Sequence, residues 1–272
     1  EALELMGDVR KLDWSRWGRV PQGEWLLNMY ARAHHLLGEY EDELEVADLA
    51  TRLYPGSLKG REHRVRALAA MARLEELESA VEAALSLPFG ETSPGTVLYQ
   101  AAEALRTHGH SAEAVVMSER GIAWYEAHRP EQQDLGTPGL WANHEARARL
   151  LWLAGRDEEA QRAGEAWAAA FPKSLTPHGY LGALAASRGD LSTAARVAAE
   201  LEAVDAQPEA RRNTLFWRAA IAAYLGEIEE SFELLREAFA NGYPYGLEIH
   251  QKVYLEPLAG YPPFEKLIAP QG

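Results

Sequence analysis

The chain has 272 residues and a formal net charge of −14 at pH 7, with 41 Asp and Glu against 27 Lys and Arg. That imbalance speaks against non-specific nucleic-acid binding, which needs an excess of cations to displace counterions. Cysteine is absent, which excludes a disulfide frame, a thiolate nucleophile and a Cys-ligated zinc, and no run of about 18 apolar residues exists to span a membrane.

Ala, Leu, Glu and Arg dominate, so intrinsic propensity favours helix along the whole chain. Residues 1–23 open on Glu1-Ala2-Leu3-Glu4-Leu5, which reads as mid-helix. The expectation there is a partial upstream repeat and a linker, in a fragment whose start lies upstream. The compartment is therefore left open, with the cytoplasm as default. From Glu24 onward a unit recurs about every 34 residues. Leu37-Gly38-Glu39-Tyr40 is followed by Ala50 and Pro55, Ala154-Gly155-Arg156-Asp157 by Ala160 and Pro172, and Leu225-Gly226-Glu227-Ile228 by Ala238. Small residues at fixed places in a period of this length mark arrays of helix–turn–helix units, which stack into concave binding surfaces.

Aligned on the turn residue, six repeats span 24–57, 58–90, 95–128, 141–174, 175–208 and 212–240. The first carries Ala31, Gly38, Tyr40, Ala50 and Pro55, but Glu43 stands where a small residue is expected. The second has Ala72 in the turn, then Leu74, Ala84 and Pro88. The third has Ala102, Gly109, Ala114 and Gly121. The step from its turn to the next is 46 residues, which places a 12-residue insertion at Arg129–Leu140; its polar, turn-forming composition predicts a surface loop. The fourth repeat has Ala148, Gly155, Ala160 and Pro172, with bulky Trp167 at another small-residue position. The fifth has Leu181-Gly182, Gly189, Leu191 and Ala194, and the sixth Ala219, Gly226, Ile228 and Ala238. Ser93-Pro94, Thr137-Pro138 and Thr176-Pro177 read as capping side chains before a Pro in the first turn of a helix. Residues 241–272 form an aromatic and Leu-rich tail suited to capping the last repeat.

These residues and their register resemble tetratricopeptide repeats, two antiparallel helices per unit. The resemblance implies an all-α fold: a right-handed α-α superhelix (solenoid) of about six tetratricopeptide-like helix pairs plus a C-terminal capping segment. It implies thirteen to fifteen helices and no sheet. The ending Leu255-Glu256-Pro257-Leu258-Ala259-Gly260-Tyr261-Pro262-Pro263-Phe264-Glu265-Lys266-Leu267-Ile268 is similar to the C-terminus of tetratricopeptide regions in large bacterial multidomain regulators. In those proteins a kinase or winged-helix domain lies upstream, which would make this chain a docking or sensory part.

Chemistry is sparse. His34 and His35 are adjacent on a helix and point about 100° apart, so they do not chelate one metal together. His108 and His110 flank a turn with no carboxylate at a motif spacing. All four read as solvated or packing histidines, with no metal, no cofactor and no catalytic residue. Glu75-Glu76, Glu158-Glu159 and Glu229-Glu230 fall in the first turn of a second helix, where carboxylates complement the helix dipole. The resemblance implies a partner-binding groove along the first helix of each repeat, formed by Asn28, Arg32, His35, Lys59, His63, Arg66, Tyr99, Gln100, Glu103, Arg106, Glu145, Arg149, Trp152, Tyr180, Phe216, Trp217 and Tyr224. Its N-terminal half is basic and its C-terminal half aromatic. The expected function is a non-catalytic scaffold that binds a protein or peptide segment, acidic toward the first three repeats, with no direct nucleic-acid contact and no membrane insertion. The alternative is a regulatory sensor that binds a small effector or acyl chain inside the superhelix. Oligomeric state is left open.

Overall fold

The computed structural model describes residues 9–14, 21–88, 93–129, 139–204, 208–246, 249 and 253–269. Among them there is no strand, and thirteen α-helices follow one another: α1 (Pro21–Leu37), α2 (Tyr40–Leu53), α3 (Lys59–Ala70), α4 (Leu74–Leu85), α5 (Thr96–Thr107), α6 (Ser111–His128), α7 (Leu140–Leu153), α8 (Asp157–Ala170), α9 (Leu175–Ser187), α10 (Leu191–Val204), α11 (Pro208–Leu225), α12 (Ile228–Ala240) and α13 (Pro262–Ile268). Two short 3-10 turns, Val9–Lys11 and Val253–Leu258, complete the described structure. None of these helices is long and apolar enough to cross a membrane. The opening residues 1–8 and most of the 129–140 insertion, with Thr137-Pro138, lie outside the described residues.

Each α1–α12 hairpin is closed by the same local chemistry. A helix that ends on a left-handed residue lets two N–H groups turn back onto its last carbonyls. At the first turn Gly38 N–H donates to the His35 carbonyl at 3.0 Å and Glu39 N–H to the His34 carbonyl at 2.9 Å. The same pair of bonds recurs at Ala72, Gly109, Gly155, Gly189 and Gly226. Their φ angles are positive, with Gly38 at 75° and Gly226 at 82°, a region that costs an L side chain but not glycine. Ala72, at 53°, is the one non-glycine among these six turns.

The second helices α4, α8 and α12 begin with acidic first turns, as expected from the paired glutamates. Arginine precedes two of them and clamps the third residue of the helix: Arg73 to Glu76 through two bonds of 2.7 Å, and Arg156 to Glu159 at 2.7 and 2.8 Å. Two expected caps differ. Ser93 places no side-chain bond on α5, whose N-cap is Gly95. The cap of α9 is Ser174, which accepts from Thr176 N–H, so the helix starts two residues before Pro177. The first turn of a helix has no internal use for its N–H groups, and Pro177 is tolerated there for that reason.

The chain divides into two compact units, the first through Asn143 and the second from His144 to Ala269. In the first unit α1 to α6 pack in order as hairpins, and the first helix α3 also touches the first helices α1 and α5 on either side. In the second, α9 packs on α10 and α11, and α11 on α12. Alanine fills the crossings: Ala67, Ala69, Ala101, Ala102, Ala148, Ala160, Ala183, Ala194, Ala219 and Ala220 are buried. Trp167 is also fully buried. Its bulk is offset three residues earlier, where Gly164 leaves room for the Tyr180 ring; a Cβ on Gly164 would stand 2.7 Å from Tyr180 Cε1.

Candidate functional site

The first unit buries a polar cluster between α1, α2 and α3. Its centre is Glu43 on α2, fully buried at 0 % exposure. From α1, His35 Nδ1 meets Glu43 Oε2 at 2.5 Å. From α3, His63 Nδ1 meets Glu43 Oε1 at 2.9 Å, and the Arg66 guanidinium lies 3.9 Å from the same oxygen. The outer side of His63 is held by Asn28, whose Oδ1 is 2.7 Å from Nε2, and Arg66 donates to Gln100 Oε1 on α5 at 2.7 Å. His108, at the end of α5, sits edge-on to Tyr40 and His35 at ring distances of 5.0 and 5.9 Å.

Burial sets the charge states. Loss of water raises the pKa of Glu43, an effect that His63 and Arg66 partly oppose. It lowers His35 to about 3 and His63 to about 4, in each case with the Arg66 charge adding to the effect. His108 falls to about 4 through burial and the neighbouring His35. The histidines are therefore neutral at pH 7. A neutral ring carries one N–H, so His63 donates either to Glu43 from Nδ1 or to Asn28 Oδ1 from Nε2, not to both, and the Arg66 charge partly offsets the burial of Glu43. His63 is engaged at both ring nitrogens and buried, so this carboxylate–imidazole pair presents no open nitrogen to a substrate.

Sequence reasoning singled out Asn28, His35, His63 and Arg66 as ligand-facing, and the structure brings them together around a residue it did not choose. The signal for Glu43 was its departure from the small residue expected at that place in the repeat. Arg32 and Arg106 are half-exposed, and Lys59 is exposed and paired with Glu62 at 3.1 Å. Tyr99 is buried and donates to Glu103 at 2.5 Å. The basic face is thus tempered by Glu43, Glu62 and Glu103. Beside it, His34, Glu39 and Asp42 gather at the start of α2, where Arg10 pairs with Asp42 at 2.8 Å. That pairing and the His34–Glu39 hydrogen bond account for the group.

In the second unit the predicted groove aromatics converge on one side chain. Tyr254, in the 3-10 turn of the tail, is fully buried. Its ring centre lies 5.4 Å from that of Trp152 on α7, 6.3 Å from Tyr180 on α9 and 4.8 Å from Trp217 on α11. The Arg149 guanidinium stands 4.9 Å over the same ring. Tyr224 donates to the Val253 carbonyl at 2.6 Å. The remaining groove candidates, Glu145 and Phe216, bind Arg149 and stack on Tyr243 respectively. Such rings at 4.5–7 Å attract beyond their buried area, as does a guanidinium over an aromatic face.

The architecture is that of tetratricopeptide-like helical repeats. A Podosopora anserina protein of nearly identical TPR-like repeats, described as kinesin light chain, is similar over 69% of this chain and 95% of its own, at 19% identity and a TM-score of 0.45. A point variant of that protein gives the same coverage and identity, with a TM-score of 0.46. No family model matches the chain, and no curated protein matches it.

Proposed function

We propose that the chain is a non-catalytic protein-interaction scaffold whose units are the six repeats 24–57, 58–90, 95–128, 141–174, 175–208 and 212–240, and that a partner segment lies along their first helices. One observation carries this reading. In the second unit a peptide segment, Val253–Leu258, already lies against α7, α9 and α11 at the positions where such repeats present side chains to a ligand. The face is wide enough for a turn of chain and is built to hold it. A cavity of about 240 Å³ beside α8, α9 and α10 mixes Leu181, Leu184 and Val197 with Glu165, Arg188, Asp190, Arg196 and Glu200, and those charges do not suit an acyl chain.

In the first unit the partner meets Arg32, Lys59 and Arg106, which remain at least partly exposed. An acidic group suits that stretch, because charge complementarity speeds encounter and rejects cationic competitors. The test is a library of labelled acidic and neutral peptides titrated against the chain and against Arg32→Glu with Lys59→Glu. Preferential binding of acidic peptides, weakened about tenfold or more by the reversals and by added salt, is the expected result. Equal binding of both peptide classes, untouched by the reversals, would place the surface elsewhere.

A further inference from the structure

The tail is made of two pieces that do different work. Residues 261–268 cover the last hairpin: Tyr261 packs against Phe232 of α12 at 5.7 Å, and the Tyr245 hydroxyl, whose ring lies 5.8 Å from Phe239 of α12, reaches the Ile268 carbonyl. That suffices to cap an array. Residues 253–258 do not continue along α12. They lie mainly on α11, with Tyr254 reaching across to the rings of α7 and α9. Val253, Tyr254, Leu255 and Leu258 are buried there, while Glu256 is exposed.

The cup that receives Tyr254 has the make-up of a recognition site rather than of an ordinary core. Its wall is Arg149, Trp152, Tyr180, Trp217 and Tyr224, and residues of these types, aromatic and Arg, concentrate binding energy at interfaces. Backbone packing prepares it. Gly179 on α9 has no Cβ, and one added there would stand 2.1 Å from Trp217 Cγ, so the Trp217 side chain packs directly on the α9 backbone, its ring centre 4.8 Å from that of Tyr254. The bond from Tyr224 to the Val253 carbonyl ties the main chain of the segment to α11.

We propose that this aromatic cup is a peptide-binding site, that residues 253–258 occupy it as an intramolecular ligand, and that the partner is a segment of another protein with the same chemistry. Such a segment presents a tyrosine flanked by aliphatic residues in one tight helical turn, the pattern Val-Tyr-Leu-x-Pro-Leu. The proposal rests on the first helices being the interaction face and names what the second unit takes. A tethered ligand acts at a high effective concentration, so an external segment competes only when the tether's own grip is loosened or the partner is abundant.

The experiment uses the full chain and a labelled peptide spanning residues 249–260, followed by fluorescence anisotropy. Binding to the wild-type chain is expected to be weak. In Tyr254→Ala, and to a lesser degree in the milder Leu258→Ala, the cup is vacated and affinity for the peptide should rise about tenfold or more. The same peptide with its tyrosine replaced by alanine should not bind either variant. Circular dichroism identifies a variant that has lost its fold, in which case Leu258→Ala decides. Failure of every folded variant to bind the peptide more tightly than wild type would show that 253–258 is a fixed cap and overturn the proposal. The Arg32 and Lys59 reversals lie in the first unit and leave the cup intact, so the two readings fail separately.

Discussion

At the scale of single residues, Glu43 is the side chain on which most depends. A carboxylate with no exposed surface is tolerated only when its charge and lone pairs are met, and His35, His63 and Arg66 meet them. Glu43→Ala restores the small residue that the repeat pattern expects, yet it strands a buried guanidinium. The expected cost is about 3–5 kcal/mol in urea denaturation; a loss below about 1 kcal/mol would mean that the group behaves as a solvated pair. The cluster also sets a pH dependence. His35 is held at about 3, and His63 and His108 at about 4, whereas an unfolded histidine titrates near 6.5. Between pH 6.5 and 4 the unfolded chain therefore binds more protons than the folded one, and stability falls as pH drops through that window. The raised pKa of Glu43 acts in the opposite sense, since the folded state holds its proton to higher pH than the unfolded one. It offsets only part of the contribution of three histidines. Melting temperature should drop from pH 7 to pH 4, and His35→Gln should flatten that slope; a parallel slope in the variant would count against this assignment.

At the scale of helices, the spacing of partners is set by what is missing as much as by what is present. Gly164, Gly179 and Gly182 each stand where a Cβ would meet a neighbouring side chain at under 3 Å: Tyr180, Trp217, and Ile221 with Val197. Gly179→Ala must displace the Trp217 indole and Gly182→Leu must part α9 from α10 and α11, so each should cost about 1–3 kcal/mol by overpacking. An unchanged melting temperature for Gly182→Leu would mean that the helices adjust freely there. The turns give the converse case. Ala72 holds a left-handed conformation at φ 53° that costs an L residue about 1–2 kcal/mol, against up to about 1 kcal/mol of extra chain entropy for glycine. Ala72→Gly should raise stability by about 0.5–1 kcal/mol in thermal melts, while Gly38→Ala should lower it. Stabilisation by Gly38→Ala would contradict the common turn geometry.

At the scale of the whole molecule, a strongly acidic chain places several of its arginines between helices. Arg120 of α6 reaches Glu78 and Glu82 of α4, Arg64 of α3 meets Asp48 of α2, and Arg211 of α11 meets Glu237 of α12. Exposed pairs of this kind contribute little each; the fold rests on alanine-lined helix crossings. Far-ultraviolet circular dichroism should accordingly show a helical spectrum without a strand component, and a substantial strand signal would refute this architecture.

What the amino-acid sequence determined by itself was the all-helical hairpin architecture. The turn residue, the first-turn glutamates and the small residues of each repeat act over a few positions, so Gly38, Gly109, Gly155, Gly189 and Gly226 could be read directly. Only the tertiary structure decided where the polar and aromatic candidates point. Glu43 stands 20 residues from His63, and Arg66 stands 34 from Gln100; Tyr254 meets rings from three helices that no short window joins. Burial then changed the meaning of those residues. Arg66 lies against a buried carboxylate, and Tyr180 and Trp217 hold the chain's own tail, because their surroundings are supplied by helices far apart in the chain.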